Sequence, residues 1–199
     1  MPAQFRTAFT LLLALFAFLL VDCAKYNELV DKDQICQRAW ADVETQVQRR
    51  YDLVPNLVAT VKGSAAHEEK TLEAVTQARA AATSIQLTAD DLADPAKVAA
   101  FQKAQDQLKG ALSRLLVIQE AYPDLKANAQ FHDLMIELEG TENRIARARE
   151  EYNKAVGDYD ATLAQIGGQI VNKATGKPFK ARVYFTASAG AEAAPTVAF

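Results

Sequence analysis

The chain has 199 residues, 38 of them alanine, with eight glycines and six prolines, so its share of these two turn-formers is well below the ordinary value of about 12 %. Half of the residues are hydrophobic and 24 % are charged, which excludes a polytopic membrane protein; two cysteines exclude a disulfide scaffold; sparse punctuation excludes a many-stranded sandwich or barrel. A formal net charge of −3 gives no electrostatic case for nucleic acid as a partner.

The run from Thr7 to Val21 is fifteen residues without a charge, preceded by Arg6 and followed by Asp22 and Lys25. As a helix it reaches about 22 Å, short of the roughly 30 Å hydrocarbon core, which suits a signal-peptide core or a short anchor that thins the bilayer. Residues 1–23 are therefore read as a single amino-terminal membrane anchor or signal segment. Arg6 and the terminal amine outnumber Lys25, and this basic bias favours a body outside the cytoplasm, on the periplasmic side. Cys23 stands where a lipoprotein cysteine would stand and is the candidate lipidation site, although a lipobox wants a small residue where this chain has Asp22. Cys36 is read as a free, buried thiol.

From Tyr26 the positions Tyr26, Leu29, Asp33, Cys36, Trp40, Val43, Val47, Arg50, Val54, Leu57 and Val61 alternate steps of three and four, the seam of a long helix packed on another. Pro55 lies inside it, off the seam, and Gly63 marks its end. A second, Ala-rich helix covers His67 to Ser84 with Leu72, Val75 and Ala82 on one face. Asp94 and Pro95 form an N-cap and first helical position for a third helix, whose seam runs Val98, Phe101, Gln105, Leu108, Leu112, Leu115, Gln119, Tyr122 and stops at Pro123. A fourth seam from Phe131 through Leu138, Thr141, Ile145, Tyr152 and Tyr159 to Ile166 predicts one helix over Asp124–Ile166, closed by Gly167-Gly168. The expected fold is all-α: an elongated antiparallel bundle of three to four long helices over 24–168, on its anchor, with 169–199 an extended or poorly structured tail. Phe179, Tyr184, Phe185 and Phe199 are the tail residues able to pin parts of it to the bundle.

Searching for chemistry yields little. The chain has no phosphate loop, dinucleotide fingerprint or nucleophile elbow. His67-Glu68-Glu69 resembles half of a zincin motif without its second histidine, and His132 is more than sixty residues away, so no metal or cofactor is expected. The informative groups are polar residues on seams: Asp33, Arg50 and Thr141, the last inside the cluster Glu139-Gly140-Thr141-Glu142-Asn143-Arg144. Gly140 in a helix interior costs about 1 kcal/mol against alanine and implies close backbone approach or a bend. Arg50 is expected either to pair with an acid of this cluster, fixing helix register, or to carry its charge out to solvent. The basic run at Arg49 and Arg50 is read as a solvated helix face rather than a binding patch.

The strings YNELVDKDQICQRAWADVETQVQRRYDLVPNLVATVKGSAAHEEKTLEAVTQARA (26–80), ALSRLLVIQEAYPDLKAN (111–128), LEGTENRIARAREEYNKAV (138–156) and FTASAGAEAAPTVAF (185–199) together resemble the LemA family of bacterial proteins. The resemblance implies a helical bundle on an amino-terminal membrane anchor, no established enzymatic activity, and relatives in magnetosome membrane clusters, hence a role in membrane organisation or scaffolding. It singles out Tyr26, Asn27, Trp40, Glu44, Arg49, Arg50, Pro55, Asn56, Lys62, Gly63, His67, Glu68, Glu142, Asn143, Arg144, Tyr152 and Asn153, with no chemical role attached to any. Two departures stand out: Asp22 before Cys23, and ATLAQIGGQIVNK after Asp160 in place of the family's Phe-Pro pair.

The function expected is thus a non-catalytic, membrane-anchored scaffold or protein-interaction module at the cell envelope, engaging protein partners or a second copy of itself. The alternatives are a membrane-remodelling protein, or an accessory enzyme or metal-dependent factor using His67, Glu68 and Glu142, which requires those groups to converge around a pocket.

Overall fold

In the computed structural model, residues 3–64, 68–174, 176 and 179–186 are described, with only the backbone for residues 3–23, Ser64 and Leu116. The side chains of residues 3–23, the candidate lipidation site Cys23 among them, and the whole of His67 and Phe199 therefore lie outside the described residues. Six α-helices follow one another: α1 Ala3–Ser64, α2 Glu69–Thr83, α3 Pro95–Ala121, α4 Pro123–Lys126, α5 Ala129–Ala164 and α6 Ile166–Ala174, with a short 3₁₀ turn at Asp91–Ala93. Among the described residues none is a strand, and no helix is long and apolar enough to cross a membrane.

The three-four spacing of α1 becomes its core face. Leu29, Cys36, Trp40, Val43, Val47, Arg50, Val54, Leu57 and Val61 are all buried, and Pro55 sits inside the helix. Helix α5 lies antiparallel to it, since Lys32 meets Thr162 while Arg50 meets Glu142. Helix α2 folds back on α1, where the Tyr51 hydroxyl donates to the Ala82 carbonyl at 3.0 Å and Arg79 Nε donates to the Tyr51 carbonyl at 2.8 Å. Helix α3 returns beside α2 and completes an up-down-up-down bundle. Its start is capped by the Asp94 carboxylate, which accepts from the amides of Ala96 and Lys97, and Pro95 takes the position where a missing N–H costs nothing. Just upstream, the Asp91 carboxylate accepts from Thr88 and Lys97, and these bonds hold it well below the usual carboxylate range.

Two expectations about the second half need correction. The single helix over Asp124–Ile166 is two: α4 ends at Lys126, and α5 starts afresh behind Asn128, whose side chain accepts from the Phe131 amide at 3.1 Å. A capping asparagine outcompetes helix continuation there because it satisfies an orphan amide at once. At the other end, Gly167-Gly168 does not close the helix. Helix α5 stops at Ala164, Gln165 adopts an extended conformation, and both glycines lie within α6. Ile166, assigned to the seam, is 79 % exposed. The glycine pair instead permits close approach: a Cβ on Gly168 would stand 2.3 Å from the Thr162 carbonyl oxygen, a distance that backbone cannot yield cheaply. Gly168→Ala is therefore expected to lower stability by about 1–3 kcal/mol through forced displacement of α6, read as a shift in the urea midpoint.

The segment after Gly168 also differs from an extended or poorly structured tail. Residues 169–174 complete α6, and residues 179–186 are extended but closely held against the bundle. The RVYF stretch is β-prone, yet this strap pairs with no strand; the Val183 amide donates to the Leu92 carbonyl, and the other bonds to its backbone come from side chains. Cys36, at zero exposure, is free. Burial pushes its thiol up to about 11, so at pH 8 it is a neutral thiol and not a nucleophile. It is expected to stay unmodified by a thiol reagent in the native protein and to react on addition of denaturant, as peptide mass mapping of the Cys36 fragment would read.

Candidate functional site

Most of the buried polar groups fall into two ties between helices. The first is built on Arg50, 1 % exposed in the middle of the α1 seam. Its Nη1 donates to Glu142 Oε1 on α5 at 2.7 Å, and its Nη2 donates to Gln105 Oε1 on α3. Gln105 Nε2 in turn donates to the Tyr51 hydroxyl at 2.5 Å, which donates to the Ala82 carbonyl on α2. One guanidinium thus begins a chain of hydrogen bonds touching α1, α2, α3 and α5. Burial raises the Tyr51 phenol, which keeps it neutral and able to donate. Beside this network is a cavity of about 50 Å³ lined by Arg50, Gln105, Asp106, Glu142 and Arg149. It is polar and large enough for ordered water.

The neighbours of this tie place the rest of the acidic cluster. Arg49 reaches Glu137 at 2.5 Å on the exposed side. Arg144 donates from Nε to Gln46 at 3.0 Å and from Nη2 to the Thr141 hydroxyl at 2.8 Å. Thr141 is fully buried and also donates to the Glu137 carbonyl, while Asn143 is exposed. Gly140 does not admit a neighbouring backbone: a Cβ there would meet only Arg144 Nη1, at 3.3 Å. Its role is to leave room for the Arg144 guanidinium over the helix surface.

The second tie is the extended segment 179–186. Asn172 brackets Phe179 through both its amide and its carbonyl. The Tyr159 hydroxyl donates to the Lys180 carbonyl at 3.1 Å, the Tyr152 hydroxyl to the Val183 carbonyl at 3.3 Å, and the Val183 amide to the Leu92 carbonyl at 2.9 Å. Asn153 pairs with both backbone groups of Phe185, at 2.9 and 2.8 Å. Arg182 is buried and forked onto Asp33 of α1, at 3.2 Å from Nε and 2.5 Å from Nη2, with its Nη1 on the Ala89 carbonyl and its amide on Asp160. Burial works against the Arg182 charge, but the bond to Asp33 outweighs it and raises the guanidinium; burial also raises Asp160. The Phe185 ring stacks on Trp40 and meets Phe101 and Tyr152, with Arg149 4.9 Å from its centroid.

Tyr152 and Asn153 were singled out by sequence, and Asp33 stood on a seam, but Arg182 and Asp160 were missed. The signal for Arg182 was an acid on an apolar seam with no cation within helical reach. The signal for Gln105 is a polar residue on the α3 seam, facing Arg50 on the α1 seam. Of the zincin-like fragment and its proposed partner, the described carboxylates Glu68 and Glu142 are not brought together. Glu68 stands just before α2, where its carboxylate accepts from the Tyr122 hydroxyl at 3.0 Å and from the Thr71 hydroxyl, whereas Glu142 is tied through Arg50 to Gln105. Tyr122 and Gln105 lie about 25 Å apart along the axis of α3, so the two carboxylates stand well apart along the bundle, Glu68 at its end and Glu142 near its middle. Among the described residues no group of three or more His, Cys, Asp or Glu side chains is arranged to hold a metal ion.

A longer groove separates α3 from α5. It has a volume of about 310 Å³ and is lined by Lys109, Leu112, His132, Met135, Ile136 and Glu142.

Every residue of both ties, apart from Asp33, falls in the stretch 39–199 that matches the sequence pattern of the LemA family. The chain belongs to the LemA family. This LemA protein is 27 % identical over 200 residues to the magnetosome protein MamQ of Magnetospirillum gryphiswaldense, covering 92 % of this chain and 72 % of the relative. It is also 27 % identical over 189 residues to the magnetosome protein MamQ 2 of Paramagnetospirillum magneticum, covering 87 % of this chain and 69 % of the relative. In the LemA chain Trp40 and Thr141 are core residues, Arg49, Arg50, Glu142 and Arg144 join α1 to α5 or α3 through ion pairs and hydrogen bonds, and Pro55 and Asn143 are exposed.

Proposed function

We propose that this LemA protein is a non-catalytic bundle, anchored by residues 1–23, that acts as a scaffold or interaction module at the bacterial cell envelope with its body on the periplasmic side. The supporting observation is how Glu142 is used. It belongs to the catalytic arrangement of His67, Glu68 and Glu142, yet it is bonded to a buried arginine on α1 and lies far from Glu68. A charged group spent on joining helices is not poised for proton transfer to a substrate. Similarity to magnetosome proteins supports placement at a membrane compartment, and the uncharged run from Thr7 to Val21 supplies a means.

Fractionation tests this. The intact chain is expected to stay with membranes through an alkaline wash, and Leu13→Arg with Leu19→Arg is expected to release it; recovery of the unaltered chain in the soluble fraction would overturn the anchor. Digestion of the bundle by protease added to intact spheroplasts is expected, and full protection would move the body to the cytoplasmic side.

A further inference from the structure

Helix α6 carries a face that the bundle does not cover. Gly168 and Val171 are buried, whereas Ile166 is 79 % exposed, Ile170 is 39 % exposed, and Gln169 and Lys173 are exposed beside them. Positions 166, 169, 170 and 173 share one side of a helix, so the outer face of α6 is two isoleucines, a glutamine and a lysine. Its place in the fold is set by α1. A Cβ on Gly167 would stand 3.3 Å from Lys25 Cγ, and Asn172 holds both backbone groups of Phe179, whose ring meets that of Tyr26 edge-on at 5.9 Å. Lys25 follows Val21, the last residue of the uncharged run, by four positions of the same continuous helix, about 6 Å along its axis.

We propose that α6 is an interfacial foot: its outer face lies in the headgroup layer of the membrane that holds α1, with Ile166 and Ile170 turned toward the acyl chains. This rests on the reading of residues 1–23 as an anchor. The depth agrees. A bilayer of about 40–45 Å with a hydrocarbon core of about 30 Å has an interfacial layer of about 5–7 Å on each side, and α6 stands beside the turn of α1 that falls in it. Composition agrees as well. An interfacial helix sets apolar side chains against a polar face rich in lysine; α6 has no acidic residue, and none occurs from 161 to 186. Lys173 and Lys180 are exposed and suit anionic headgroups, while on the adjoining turn of α1 Glu28 is paired with Lys25 and Lys32. A second copy of the chain suits the face less, because two isoleucines offer far less than the roughly 800 Å² per partner of a stable protein interface.

Fluorescence quenching in vesicles tests the foot and the anchor separately. The full chain, in a C23S background with the buried, neutral Cys36 retained, is given one new cysteine by I166C, I170C or V117C. Each variant is labelled with bimane and reconstituted into vesicles of phosphatidylcholine and phosphatidylglycerol. Val117 is the control: it is 73 % exposed on α3, near the Tyr122 that meets Glu68 beyond the far end of α1. Flotation with the vesicles reads the anchor, and quenching by a lipid spin-labelled close to its headgroup reads the foot. The I166C and I170C labels are expected to be quenched several-fold more than the V117C label, and either serves alone should the other alter the helical circular dichroism spectrum. Chains that float but show equal quenching at all three positions overturn the foot and leave the anchor standing. Chains that do not float overturn both. Blue-shifted but unquenched labels at 166 and 170 would show that protein, not lipid, covers the face, which also overturns the foot.

Discussion

Phe185→Ala is expected to lower the unfolding free energy by about 3–5 kcal/mol, the range for truncating a fully packed phenylalanine. The ring is 6 % exposed and is the hub of an aromatic cluster with Trp40, Phe101 and Tyr152. Those three come from α1, α3 and α5, so the cavity left by alanine opens between helices that cannot close on one another without moving the whole bundle. Incomplete collapse places the cost in the upper part of the range. Urea unfolding followed by circular dichroism measures it. A second readout separates local release from global weakening: Arg182 and Lys180 are held against Asp33 and Tyr159, and the variant should be cut there by trypsin faster than at arginines within helices. A loss below about 1 kcal/mol with no new cleavage would mean that the strap is not part of the core.

Arg50→Met should cost about 2–4 kcal/mol. Removing one partner of a buried ion pair leaves the other charge uncompensated, a penalty of roughly 3–5 kcal/mol when both are enclosed. Here the Glu142 side chain keeps 23 % exposure against 2 % for Arg50, so water recovers part of its solvation and the value falls. Gln105 also loses the cation on its oxygen. The double variant Arg50→Met with Glu142→Leu should regain most of the loss, because an apolar pair of similar volume avoids both desolvation costs. If the double variant is as unstable as the sum of the two single ones, the pair is uncoupled and the register role fails.

Much of the bundle was legible because the seams of α1, α3 and α5 are long and regular. Trp40, Leu108 and Tyr152 are buried where the three-four spacing puts them, and Asp94 caps as its residue type suggests. Arg50 meeting the 139–144 cluster was legible for the same reason: a cation on a seam has to find an acid on the facing seam. What failed was local competition that periodicity does not register. Asn128 restarts a helix that hydrophobic spacing would carry straight through, and Gly168 reads as a terminator when its smallness serves packing. The strap was harder still. Its backbone bonds to the Asn153, Tyr152 and Tyr159 side chains reach 21 to 32 residues back along the chain, and no local pattern connects such distant groups to it.

The strap also sets an order of events during synthesis. Trp40, Phe101 and Tyr152 are all made before Phe185, and at about 5–20 residues per second the ribosome takes at least about two seconds to pass from Tyr152 to Phe185. For that interval the growing chain can assemble its helices but leaves an unfilled aromatic slot among them. A nascent or prematurely terminated chain lacking the strap would carry this sticky surface, and the quality-control machinery of the cell would meet it as such.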